Sequence, residues 1–171
     1  GRTPIRDALQ RLERDGVVVI QPRRSIYVSE ISITDLKHVC EARLPFETWC
    51  AQLAAERIDD RQLRQLEREI ELAEVRDGID LVPRLMESDR QVHKLVAQAS
   101  GNRFLLNVVR KLYGLSARMW RMMSNPAVGA RETQLHHRRL LEGLSKRDPH
   151  LAGEAIRSDI LHFWEHVRGQ I

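Results

Sequence analysis

Cysteine is nearly absent, with only Cys40 and Cys50 in 171 residues. Their spacing fits neither a disulfide framework nor a zinc cluster, so both read as small buried side chains in a reducing compartment. Long apolar runs are also missing. No stretch approaches a membrane span and none has the layout of a signal peptide, which points to the cytoplasm. Glycine (9) and proline (6) are scarce, and Leu, Arg, Glu and Ala are abundant, which favours helix. No internal repeat or low-complexity tract occurs. What remains is 42% hydrophobic, enough for a substantial core. The length suits one full domain and part of a second.

Charge is spread unevenly. Residues 1–28 carry six Arg against three acids, whereas the other 143 residues carry 22 basic and 21 acidic side chains. A short basic lobe on a nearly neutral body points to a polyanionic partner for the lobe, against an ordinary solvated face.

The lobe reads as helix, strand, turn, strand. Thr3 can cap a helix and Pro4 suits its first turn. Ile5, Ala8, Leu9 and Leu12 recur at helical spacing, with Arg2, Arg6, Arg11 and Arg14 on the other sides, and Gly16 is a stop. Val17–Ile20 is a β-branched strand, residues 21–25 a turn, and Ile26–Val28 the return strand. A helix followed by a hairpin is the second half of a winged helix-turn-helix, which sets a helix in the major groove and a wing along the backbone. One helix and one hairpin cannot close a core, so a preceding half is expected, and the chain without it is expected to bind DNA poorly.

The segment Gly1-Arg-Thr-Pro-Ile-Arg-Asp-Ala-Leu-Gln-Arg-Leu-Glu-Arg-Asp-Gly-Val17 resembles the recognition-helix segment of GntR-family transcription regulators, and residues 23–28 resemble their wing. Gly1 stands where that family has a capping Ser, and Ser25 where it has Gly. The resemblance implies that Arg2 and Arg6 meet base edges or phosphates and that Thr3 and Arg24 contact the DNA backbone. Arginine suits this work because its planar fork pairs with guanine O6 and N7.

The body, residues 31–171, reads as helices. Ser32 or Thr34 caps a helix to Arg57, with Val39, Leu44, Phe46, Trp49, Leu53 and Ala54 as its apolar side and a bend at Pro45. Arg43 on this helix needs an anionic partner, either Glu47 one turn on or a ligand. Asp59-Asp60 starts a helix to about residue 76, and Asp77-Gly78 breaks it. A helix to Ala99 ends at Ser100-Gly101-Asn102. Residues 103–123 form a helix apolar on more than one side, suited to a central or subunit-interface position, on which Arg118 or Arg121 could face a ligand. After Asn125-Pro126, residues 128–146 and about 149–169 form the last two helices. The expected fold is mainly α: a partial winged helix-turn-helix (residues 1–30) followed by an antiparallel all-α bundle (31–171).

Asp89 and His93 lie one turn apart on the fourth of these helices, counting the lobe's. At that spacing they can offer two ligands to one metal ion, or simply pair with each other in a core. Together with Glu41-Ala-Arg43, Glu47, Ala99-Ser-Gly-Asn102 and His137-Arg-Arg-Leu-Leu-Glu-Gly-Leu144, this helix resembles the FCD effector-binding domain of the FadR subfamily of GntR regulators. Many members of that subfamily hold a divalent metal with one Asp and three His. Asp89, His93 and His137 match, and Asp159 falls where the last His is expected, with His162 as a substitute under a shifted register. The resemblance implies a metal site of Asp89, His93, His137 and Asp159. Zn fits it, and the extra carboxylate makes Mn, Fe or Ni plausible. It further implies a small carboxylate effector held at its far end by Arg43, and a homodimer on palindromic operator DNA. No residue is an evident general base, so an enzyme is not expected. The alternatives are the same regulator with a purely structural metal or with none, and, behind these, a metal-dependent enzyme. His136, His150 and His166 read as surface residues.

Overall fold

A computed structural model describes residues 1–30, 32–73, 81–122 and 129–169. Helix α1 spans Arg2–Arg14, with Gly1 as an N-cap that supplies no side-chain hydrogen bond. Thr3 therefore lies inside the first turn instead of capping it. The helix begins two residues early because Pro4, with no N–H to satisfy, is tolerated anywhere in that turn. At Gly16 the backbone turns left-handed (φ +72°). Strands β1 (Val18–Gln21) and β2 (Ser25–Val28) then pair antiparallel, Val18 opposite Val28 and Gln21 opposite Ser25. The Arg24 N–H donates to the Gln21 carbonyl at 3.1 Å, closing the turn. The strained position in this turn is Arg23 (φ 63°), not Ser25, which is already in the strand. This chain therefore does not need glycine at position 25.

Among the described residues, six helices form the body: α2 (Ile33–Arg57), α3 (Asp60–Ala73), α4 (Leu81–Ala99), α5 (Arg103–Met122), α6 (Ala130–Ser145) and α7 (Pro149–Arg168). The break at Asp77-Gly78 and the loop at Asn125-Pro126 lie outside the described residues. Helix starts follow local chemistry. Ser32 and Asp35 form a reciprocal capping box at α2. Asp59 Oδ1 accepts from the Gln62 N–H at 2.7 Å before α3, and Asp148 caps α7 with Pro149 behind it. Asn102 Oδ1 accepts from Phe104 and Leu105 N–H groups and so starts α5. The Ser100-Gly101-Asn102 corner is pinned from outside by Arg57, which donates to the Ser100 carbonyl at 2.6 Å.

Helix α2 is central and packs against α4, α5, α6 and α7. It continues through Pro45. Its buried side matches the expected one only in part: Ala54 is buried and Leu44 and Leu53 pack on the core, but Leu36, Cys40, Arg43, Glu47 and Cys50 also face inward, while Phe46 and Trp49 are exposed, Trp49 by 51%. Apolar residues occur all around this helix, so size alone points the wrong way. The inward face is set by a charged pair that the bundle encloses. Burial raises the thiols of Cys40 and Cys50 to about 11, and both are free. Helices α6 and α7 cross at Gly143, where a Cβ would come within 2.6 Å of the Ala152 nitrogen. Only glycine permits that approach.

The lobe meets the body through α5. Lys111 Nζ donates to the Arg14 carbonyl at 2.8 Å. Arg118 donates to the Gly16 carbonyl at 3.4 Å, to Ser29 Oγ at 3.3 Å and to the Ser29 carbonyl at 2.5 Å. Arg118 thus binds backbone at the lobe's base and is not turned towards a ligand. Among the described residues, no helix is long and apolar enough to cross a membrane.

Candidate metal centre

Helix α4 carries Asp89 and His93 into the bundle, α6 carries His137 and α7 carries Asp159. All four are buried. One ligand atom from each lies within 4.8 Å of all the others. His93 Nε2 is 3.7 Å from Asp89 Oδ1 and 3.2 Å from Asp159 Oδ2. His137 Nε2 is 3.3 Å from Asp89 Oδ1 and 4.0 Å from Asp159 Oδ1. Neither Nε2 makes a hydrogen bond. Nitrogen and oxygen lone pairs facing one another in a core are costly unless a cation or a proton lies between them. Two imidazoles and two carboxylates therefore fit a divalent ion, with coordination positions left over.

A second layer orients these groups. His93 Nδ1 lies 2.5 Å from Glu47 Oε2, which leaves Nε2 to face the cluster. The Tyr113 hydroxyl donates to Asp89 Oδ2 at 2.6 Å, leaving Oδ1 for the centre. Arg43 donates from Nε to Glu47 Oε1 at 2.5 Å and from Nη2 to Oε2 at 3.4 Å. Its guanidinium also lies over the Tyr113 ring, 5.3 Å from the centroid.

The field in this core is negative. Burial would raise the Glu47 carboxyl, but Arg43 and then His93 outweigh it and hold Glu47 at about 2. Burial would lower the His93 imidazole, yet Glu47 and Asp89 hold it well above its ordinary value. Burial likewise opposes ionisation of Asp89, but His93 and His137 keep it well below the usual carboxylate range. Burial and Asp89 together push the Tyr113 phenol up, so it remains a donor. An environment that draws a proton onto His93 in this way also attracts a metal cation.

A small cavity of 30 Å³ adjoins the cluster, lined by Arg43, Asp89, Tyr113, Trp120, Asp159 and His162 among others. It has room for about one or two waters. His162 lines this cavity but is not among the four grouped ligands. His150 is exposed as expected, whereas His136 and His166 are half-buried and stand beside His162. They read as surface because a histidine carries no hydropathy signal of its own. Arg121 is exposed beside a surface cavity shared with Glu87 and Arg90. Arg2, Thr3, Arg6 and Arg24 are all exposed, the first three on α1 and the last in the hairpin turn.

Tyr113 was not foreseen, since a tyrosine among apolar neighbours on a long helix reads as core. Glu47 was foreseen only as the partner of Arg43. Its second bond, to His93, joins residues 46 apart in the chain, and no local spacing reports such a contact.

The FCD domain family matches residues 38–162, and the family of bacterial regulatory proteins named gntR matches residues 1–28. The chain is a GntR-family regulator with an FCD domain. It is 25% identical over 170 residues to the HTH-type transcriptional regulator YdhC of Bacillus subtilis, spanning 98% of this chain and 75% of that protein. It is 27% identical over 168 residues to the HTH-type transcriptional repressor RspR of Escherichia coli, spanning 98% and 73%. Among solved structures, E. coli McbR/YncC shares its fold with a TM-score of 0.84 at 19% identity, covering 99% of this chain and 81% of that one. The GntR/FCD regulator is thus a transcription regulator with a DNA-binding lobe and an FCD bundle.

Proposed function

We propose that Asp89, His93, His137 and Asp159 hold a divalent metal ion at the floor of an effector site, and that a small carboxylate bound there controls the grip of the lobe on operator DNA. Zn suits the imidazoles, and the second carboxylate extends the choice to Mn, Fe or Ni. The bound ion would supply Lewis acidity and open positions for an anion. The observation that carries this reading is the pair of buried, unpartnered Nε2 atoms facing two carboxylates.

The chain's own residues do the rest. Glu47 and Tyr113 fix the His93 ring and the Asp89 carboxylate. Arg43 has five N–H donors, of which Glu47 takes two, leaving others for an anion's far end. The cavity of 30 Å³ is too small for a multi-carbon acid, so binding must move its walls. Four of those wall residues, Tyr113, Ser116, Ala117 and Trp120, lie on α5, which also carries Lys111 and Arg118 to the lobe. An effector that binds only the opened arrangement shifts the population towards it and re-aims the lobe. Arg2 and Arg6 would then read bases or phosphates, with Thr3 and Arg24 on the DNA backbone.

We place the chain in the FadR subfamily, as a cytoplasmic homodimer with a lobe of residues 1–30 and a body of 31–171. Its role is regulatory and not enzymatic, in line with relatives that are named regulators. A second reading, a purely structural metal, is favoured by the small cavity and by Arg43 already paired with Glu47. The test is metal analysis of the intact protein and of Asp89→Ala and His93→Ala, followed by operator binding with a panel of small carboxylates. Metal retained by both variants sinks the metal site. Operator affinity indifferent to every carboxylate leaves the structural reading.

A further inference from the structure

Helices α6 and α7 carry four histidines outside the Asp89 cluster, and three of them, His136, His162 and His166, stand together. His162 and His166 lie four residues apart on α7, their rings nearly parallel (22°) with centroids 6.2 Å apart. His136 reaches over from α6, its ring 5.8 Å from that of His162. For comparison, the His93 and His137 rings of the first cluster are 5.9 Å apart. His136 Nδ1 and His162 Nε2 are buried and make no hydrogen bond. The space beside them is kept by Gly129, where an added Cβ would lie 2.9 Å from His162 Nε2 and 3.6 Å from His166 Nδ1. Two histidines one helical turn apart are a natural chelate, and a third on a neighbouring helix can supply another nitrogen once an ion draws the rings together.

We propose that His136, His162 and His166 form a second divalent-metal site, distinct from the Asp89 cluster, that takes imidazole-preferring ions. The donor set separates the two. Three nitrogens with no carboxylate among them favour Ni, Cu and Zn over Mn or Fe, whereas two carboxylates make the first cluster harder. Negative charge stands nearby: Asp159 acts on His136 and Glu132 on His166. The site borders the 30 Å³ cavity through His162, His166 and Gly129, so an ion there would form part of the cavity wall.

The experiment counts ions. Intact protein is stripped with a chelator, titrated with Ni²⁺ by calorimetry, and checked by elemental analysis after desalting. Two ions per chain are expected, with one lost in His162→Ala/His166→Ala and the other in Asp89→Ala/His93→Ala. His166→Ala alone, at a half-exposed position, should fold normally by circular dichroism and weaken one of the two sites about tenfold or more. One ion in the unaltered protein, or two in the His162→Ala/His166→Ala protein, overturns the proposal. The two sites fail separately: loss of an ion only in the Asp89 variant refutes this one, and loss only in the His162 variant refutes the first.

Discussion

Helix α1 and helix α2 represent two ways of using arginine. In α1 no residue is buried, and Arg2, Arg6, Arg11 and Arg14 all stand in solvent. In α2 eight residues are buried, and one of them is Arg43, enclosed with Glu47 at 3% and 2% exposure. The lobe keeps its charges free for a partner, and its one buried apolar side chain is Val18. The body encloses four charged side chains, Arg43, Glu47, Asp89 and Asp159, in and around one cluster. Mutations should therefore separate the two regions, those in the lobe changing binding and those in the body changing folding and metal content.

The largest separation is expected at Gly143. Gly143→Val would drive side-chain atoms into the α7 backbone and cost about 3 kcal/mol or more in chemical denaturation. A lobe counterpart, Leu12→Ala at a position 40% exposed, should stay within about 0.5 kcal/mol. A large loss from Leu12→Ala would erase the contrast. Next comes Arg6→Ala, which should weaken operator binding of the intact protein by about 1–3 kcal/mol without altering Tm or metal content. A falling Tm would show that Arg6 is a folding residue. A smaller effect is expected at Arg118. Arg118→Ala should cost about 1 kcal/mol, seen as faster amide exchange across residues 16–29 with unchanged protection in α2 and α7. Equal acceleration in both regions would mean that the lobe and the body are not separable. The smallest and most general contrast is in salt: operator affinity should fall steeply between low and moderate ionic strength, while metal content stays constant.

The order of elements was legible because caps and stops are local. Ser32 with Asp35, Asn102, Asp148 with Pro149, and Gly16 each act on neighbouring backbone, and spacing alone reveals them. Asp89 and His93 were legible as a pair for the same reason, being one turn apart. His137 and Asp159 were reached only through family resemblance, because the helices that bring them together are far apart in the chain. The inward face of α2 was read only in part: Leu44, Leu53 and Ala54 meet the core, and Phe46 and Trp49 do not. Phe46 and Trp49 outweigh Arg43 and Glu47 on any hydropathy measure, and only the partners His93 and Tyr113 make the charged side the buried one. The histidines at 136 and 166 were misjudged for a related reason, since what covers them is His162 and the turn at Gly129.

The α5 helix has a consequence that runs in both directions. Tyr113 holds Asp89 at one point of it, and five residues on Arg118 holds the carbonyl of Ser29. Under the proposed carboxylate binding, linkage makes the coupling reciprocal: the factor by which the carboxylate would change operator affinity is the factor by which the operator would change carboxylate affinity. A regulator seated on DNA would then respond to its effector over a different concentration range from one free in solution. The threshold of the switch would belong to the protein–DNA complex and not to the protein alone.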